Sequence, residues 1–259
     1  MKIVDCFIFY NEIEILEYRI NLLENIVDYF VLVECKKTFT YNDKDLYFDK
    51  IKHQHPFNNK KIIHLVIDDY PNNTRDTWSN EYYQRNYIDI GIKNMSLDNQ
   101  DIIIISDADE IPNPEILLDI RNNKLEINKM FCLHQDFYYY NLNCKRDSKW
   151  KLSKILNYEY YTNVLNNKPQ KCRESNNCDP IPNGGWHLSY FGDINFIKNK
   201  LQNFSHTEYN TQEFRDNDHI KKCILDCKDL FNRNDGMQYI EFVDNTNLPP
   251  NYEFFIKNV

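Results

Sequence analysis

Two carboxylates, Asp107 and Asp109, stand either side of one alanine directly after the apolar run Ile102–Ile105. Side chains alternate along extended backbone, so this spacing points both acids to one side, with the small Ala108 between them. Two carboxylates facing one point suit a hard divalent cation, Mg²⁺ or Mn²⁺, which keeps some waters and takes its remaining ligands from phosphate oxygens. The plainer alternative is an acidic loop that caps the helix after it. An EF-hand is excluded, because the loop lacks the third oxygen ligand at Ile111 and the glycine that should follow. Residue types alone leave three readings open: transfer of a phosphate-linked group, metal-dependent phosphate hydrolysis, and binding of a nucleotide or glycan without turnover.

Charge bears on the choice. The formal net charge is −8, and no run of Lys or Arg could track a nucleic-acid backbone, so nucleic acid is excluded as a partner. Such an acidic protein repels a polyphosphate unless something local reverses the sign, which a cation at the Asp pair would do.

The elements that must hold this pair read as an alternation of strands and helices. Ile3–Tyr10 is apolar and β-branched enough for a buried strand, and Asn11, with Glu12 and Glu14 behind it, supplies a helix cap with an acidic first turn. Ile13, Leu16, Ile20 and Leu23 recur at helical spacing, and Ile26–Glu34 reads as a second strand ending in a carboxylate. Ile62–Ile67 is a third strand, Trp78–Lys93 a helix, and Ile102–Ile105 a central strand buried on both faces. Pro112 and Pro114 open a helix carrying Ile116, Leu117 and Ile120. Further on, Met130–Tyr140 and Gly184–Gly192 read as strands, and Asp193–Phe204 and Phe214–Leu230 as helices.

This pattern predicts a single α/β domain over residues 1–259, with a mixed, mostly parallel sheet flanked by helices. Ligands then bind beyond the carboxyl ends of the strands, where Asn11, Glu34 and Asp107 all fall. The hydrophobic fraction of 42%, with 19 Tyr and 16 Phe, is enough for an ordered aromatic core. The eight cysteines show no paired C-x-x-C spacing, so reduced, mostly buried thiols are expected, with Cys172 and Cys178 as the best-placed exception. No apolar stretch approaches the ~18 residues of a membrane span, so the expectation is a soluble or cytoplasmic chain with neither signal peptide nor transmembrane anchor.

Several segments in one order carry a resemblance. Asp5–Phe48, Glu81–Arg85 (EYYQR), Ser106–Pro112 (SDADEIP), Tyr139–Leu142 (YYNL), Gly185–Gly192 (GWHLSYFG) and Phe204–Glu208 (FSHTE) resemble glycosyltransferase family 17, the β-1,4-mannosyl-glycoprotein 4-β-N-acetylglucosaminyltransferases. The resemblance covers about nine-tenths of the sequence. It implies a GT-A type (Rossmann-like) fold, a UDP-sugar donor, by analogy UDP-GlcNAc, a glycan or glycoprotein acceptor, a divalent metal held by the D-x-D, and inversion at the anomeric carbon.

Roles follow from that implication together with the strand ends. Asp109 and Asp107 are the expected metal ligands, joined by His206, and Asp107 also reaches the ribose or a metal-bound water. Tyr10, Asn11, Glu34, Arg85, Asp107 and Ala108 are expected to bind the nucleotide sugar in the half spanning 1–125, with Arg85 forking onto the diphosphate. A loop holding Thr38, Phe39 and Lys44 covers the donor. Trp186, His187 and Tyr139 are expected beside the acceptor in the half spanning 126–259. An inverting transfer needs a base for the acceptor hydroxyl, for which Glu208 and Asp136 are the candidates. Glu110 is either a third acidic contact or a partner for the helix dipole.

Overall fold

The computed structural model describes residues 1–71, 76–234 and 236–256. In chain order, β1 (Ile3–Ile8), α1 (Ile13–Leu23), β2 (Tyr29–Cys35), α2 (Tyr47–Ile51) and β3 (Ile62–Ile67) come first, then α3 (Thr77–Asn86), α4 (Ile88–Lys93), β4 (Ile102–Asp107), β5 (Glu110–Pro112) and α5 (Pro114–Arg121). The second half holds β6 (Phe131–Tyr139), β7 (Cys144–Trp150), β8 (Lys154–Asn157), α6 (Tyr158–Asn163), α7 (Pro169–Glu174) and β9 (Asp179–Ser189). It closes with α8 (Ile194–Asn203), a 3-10 turn at Thr207–Tyr209, α9 (Asn217–Leu225), β10 (Met237–Tyr239) and α10 (Glu253–Ile256).

Among the described residues the strands form one ten-stranded mixed sheet, in the order β10-β7-β6-β8-β4-β1-β2-β3, with β9 beside β6 and β5 beside β9. Strands β3, β2, β1 and β4 run parallel, and β8 turns the sheet antiparallel at β4. The isoleucine run explains why β4 lies at the centre. Ile102 and Ile104 enter the core under α1 and α5, whereas Ile103 and Ile105 enter the one under α4 and α6. Each fully buried side chain of this size contributes roughly 1.5–3 kcal/mol, so β4 holds its place from both faces.

Local chemistry sets the ends of the elements. Asn113 caps α5 by accepting from the Glu115 amide, with Pro114 in its first turn, so that Pro112 ends β5 and does not open the helix. The cap expected at Asn11 falls instead on Glu12, whose side chain turns back to accept from the Tyr10 and Asn11 amides. The single helix expected over Trp78–Lys93 is divided into α3 and α4 at Tyr87. Strand β5, too short to show in the pattern, pairs with β9 so that Glu110 lies opposite His187. This pairing requires Gly185: its φ is +138°, and a Cβ there would stand 2.0 Å from the Ile111 carbonyl oxygen.

Two expectations about side chains are corrected here. Cys144 at the start of β7 is disulfide-bonded to Cys227 after α9, so the thiols are not all reduced, and Cys172 and Cys178 are both free. Met130–Tyr140 and Gly184–Gly192 do form strands, but their aromatics serve the core. Trp186 packs with Ile15, Tyr18 and Tyr138, and Tyr139 with Phe137, Tyr190 and Ile197. Among the described residues, no helix is long and apolar enough to cross a membrane.

Candidate active site

The turn that carries the Asp pair is built around an arginine. Arg19 of α1 is fully buried; its guanidinium donates to both Asp5 oxygens at 2.8 and 2.6 Å, and to Ser106 Oγ at 2.7 Å. Its remaining nitrogen donates to the carbonyls of Asp107, Ala108 and Glu110 at 2.8, 3.1 and 3.0 Å. A planar fork saturated in this way fixes the backbone between β4 and β5. Glu110 completes the frame from the other side. Wholly buried, it accepts from Trp150 Nε1 at 2.6 Å, from Arg173 Nη2 and Nη1 at 2.7 and 2.9 Å, and from the Asp107 amide at 3.1 Å. It is therefore an internal anchor, neither an acidic contact in the cleft nor a dipole partner.

Asp107 and Asp109 both open onto a cleft of about 440 Å³ at the carboxyl ends of β1 and β4, a size suited to a small ligand. They reach it from a turn rather than from extended backbone, since β4 ends at Asp107, and they keep different company. Asp107 accepts from Arg85 Nη1 and from Arg173 Nη2, both at 2.5 Å. Asp109 accepts from Lys200 Nζ at 3.0 Å and lies 3.5 Å from His187 Nε2. Burial alone would raise both acids. For Asp109 it is overruled by Lys200 and His187, which hold the carboxyl far below the usual range. For Asp107 it is overruled by Arg173 and Arg85.

The cleft is also lined by Tyr10 and Glu12 after β1, Lys37–Phe39 and Lys44 after β2, Trp78, Glu81, Tyr82 and Gln84 of α3, and Trp150 and Leu152. Gln170, Arg173 and Glu174 of α7, His187 and Ser189 of β9, and Lys200 and Asn203–His206 close the far side. Of the residues expected at the site, Tyr10, Asp107, Ala108, Asp109, His187 and His206 line this cleft, as do Thr38, Phe39 and Lys44.

The others do not. Glu34 is fully buried behind Lys44 and caps α2, accepting from the Tyr47 and Phe48 amides at 2.5 and 3.2 Å and from Lys44 at 3.4 Å. Arg85, also fully buried, is spent on Asp107, Glu81 and Gln170, so its fork positions Asp107 and does not reach a diphosphate. Asn11 donates to Asn199 at 3.3 Å. Trp186 donates to the Asn247 carbonyl at 2.7 Å, and Tyr139 accepts from Arg233 at 2.9 Å, both within the core. Asp136 is buried under Lys145 and Lys149, at 2.6 and 2.8 Å, outside the cleft lining. Glu208 is exposed beyond the lining but lies 2.7 Å from Nδ1 of His206.

Among the described residues no group of three or more His, Cys, Asp or Glu side chains could hold a metal ion, so His206 does not join Asp107 and Asp109 as a ligand set. The two aspartates nevertheless fit a Mg²⁺-type ion, which is held by one or two carboxylates plus substrate phosphates. The charge around them agrees. Glu12, Glu81, Asp107, Asp109 and Glu174 line the cleft together with Lys37, Lys44, Arg173 and Lys200, so its wall carries one more carboxylate than Lys or Arg, and a divalent cation would offset it. Of this set, Lys37, Arg173, Glu174 and Lys200 were not singled out from the sequence, Glu12 was read only as an acid of the first helical turn and Glu81 only as part of the EYYQR segment. The sole sign of Arg173 and Lys200 is a basic residue within a short amphipathic helix, which marks countless surface positions as well.

Residues 1–247 match Glycosyltransferase family 17. No curated protein matches the chain. Among solved structures, a 4-diphosphocytidyl-2C-methyl-D-erythritol synthase from Anaerococcus prevotii is similar at 14% identity and a TM-score of 0.39, over 76% of this chain and 93% of its own. A 2-C-methyl-D-erythritol 4-phosphate cytidylyltransferase from Francisella tularensis is similar at 12% identity and a TM-score of 0.34, over 70% of this chain and 89% of its own.

Proposed function

The chain belongs to glycosyltransferase family 17, and on that premise we propose that it is an inverting, metal-dependent transferase of the GT-A type. It moves a sugar, GlcNAc, from a UDP-sugar to a hydroxyl of a glycan or glycoprotein. The observation that carries this reading is the pair Asp107 and Asp109 opening onto one cleft beside Tyr10 and the loop Lys37–Phe39, at the carboxyl end of the parallel strands. The donor lies on the half spanning 1–125 and the acceptor on the half spanning 126–259.

Asp107 and Asp109 would hold Mn²⁺ or Mg²⁺, which supplies Lewis-acid stabilisation of the leaving diphosphate. Tyr10, Thr38 and Lys44 line the donor side and bind the nucleotide. His187, between the rings of Phe137 and Trp150 at 4.4 and 4.3 Å, presents a fixed edge to the acceptor.

Of the two proposed bases, Glu208 is supported and Asp136, locked under its lysines, is not. Glu208 acts through His206. With Nδ1 bonded to Glu208, Nε2 of His206 takes the proton of the acceptor hydroxyl; that oxygen bonds to the anomeric carbon, and the carbon–oxygen bond to the diphosphate breaks, UDP leaving with the electron pair. Slight burial pushes the Glu208 carboxyl up, but the bond to His206 outweighs it and keeps the group below its usual range.

The test is Asp109→Ala, compared with wild type for Mn²⁺-dependent UDP binding and for transfer from a panel of UDP-sugars. The expected result is loss of both with the circular dichroism spectrum unchanged. Retained transfer would defeat the assignment, and release of sugar or phosphate from UDP-sugars without any acceptor would replace transfer with hydrolysis.

A further inference from the structure

Lys200 is a cation of this cleft with donors to spare. Its ammonium has three N–H groups. One hydrogen bond is made, to Asp109 at 3.0 Å, while Glu12 stands at 3.9 Å, beyond hydrogen-bond reach. The neighbouring cations keep other partners. Arg173 divides its fork between Asp107 and Glu110, Lys44 donates to Glu34 and the Asp45 carbonyl, and Lys37 pairs with Asp43. The stem of Lys200 leaves α8 with its ammonium 5.2 Å from the Tyr190 ring centroid, so one side rests on an aromatic face and another is part of the cleft lining. Its position between Asp109 and Glu12 places it between the turn after β4 and the end of β1, the gap that a nucleotide's phosphates would occupy.

We propose that Lys200 donates directly to the diphosphate of the donor, so that part of donor binding needs no metal. The inference rests on the donor reading above but concerns a separate contact. A lysine serving only as a structural partner of Asp109 would require no unspent donors inside a cleft. A lysine built for phosphate would keep them there, in a partly desolvated site where a charge-assisted bond is strong.

Calorimetric titration with inorganic pyrophosphate, and separately with UDP, in Mn²⁺ and then in EDTA, tests this. Wild type is expected to retain measurable pyrophosphate and UDP binding in EDTA. Lys200→Met is expected to lose about tenfold or more of that affinity, and Lys200→Arg to recover most of it. Because Lys200→Met leaves Asp109 without its cation, a wild-type measurement accompanies it: acetylation of Lys200, followed by peptide mass spectrometry, should be suppressed by pyrophosphate in EDTA. Unchanged affinity in a folded Lys200→Met protein, or unprotected Lys200 under saturating pyrophosphate, overturns the proposal, as does a wild type that binds no pyrophosphate in EDTA. Pyrophosphate binding that depends on Lys200 alongside no UDP binding in Mn²⁺ would uphold the contact and sink the UDP-donor reading instead.

Discussion

Asp107 and Asp109 are held ionised by different cations, and this makes the site sensitive to acid. Both carboxyls lie below their usual range in the folded protein, after burial, which opposes this, is outweighed by Arg173 and Arg85 for Asp107 and by Lys200 and His187 for Asp109. A depressed carboxyl contributes stability above its unfolded value, about 4, and loses it as pH falls through the lower folded value. Lys200, raised because Asp109 and Glu12 outweigh its burial, works the opposite way, and its contribution fades only above the ordinary lysine range near 10.4. The urea midpoint should therefore drop between pH 7 and pH 3, with a smaller drop in Asp109→Asn. Glu110 has a structural part to play. Replacing it with alanine leaves the buried Arg173 short of a counter-charge, and is expected to cost about 3–5 kcal/mol in equilibrium denaturation with the cleft residues chemically intact.

At the scale of elements, the turn between β4 and β5 depends on Arg19 of α1, which satisfies three of its carbonyls while neutralising Asp5. Arg19→Met would leave Asp5 buried and unpaired, so a loss of about 3–5 kcal/mol is expected, and Mn²⁺-dependent UDP binding should weaken in the surviving folded fraction. Thermal and calorimetric measurements on the same samples separate the two effects. The Cys144–Cys227 bridge ties β7 to the end of α9 across 83 residues. Substituting both cysteines with alanine is expected to lower stability by about 2–4 kcal/mol, read as a shift in denaturant midpoint. Non-reducing peptide mapping should recover the crosslinked pair.

Over the whole molecule, what could be read in the sequence was whatever short-range pattern encodes. The β-branched runs and the alternation of strands with helices appear in the fold where local chemistry places them, and the acid pair after Ile105 does reach the cleft, though from a turn and not from extended backbone. Contacts between distant segments left no such trace. Lys200 meets Asp109 across 91 positions and Arg173 meets Glu110 across 63, and no local pattern links either pair. The same blindness explains why Trp186 and Tyr139 were expected beside the acceptor: an aromatic strand reads alike whether it faces a ligand or a second layer of core. Glu34 and Arg85 do lie near the cleft, but one layer too deep.

Strand β4 is enclosed laterally by β1 and β8 and above and below by separate clusters of apolar side chains. Its amide hydrogens should consequently exchange with deuterium only when the entire protein opens, among the slowest in the molecule. Ile103–Ile105 would then report global stability directly. A ligand gripped at the end of so unyielding a support arrives at a site already in shape, and should forfeit little conformational entropy on docking there.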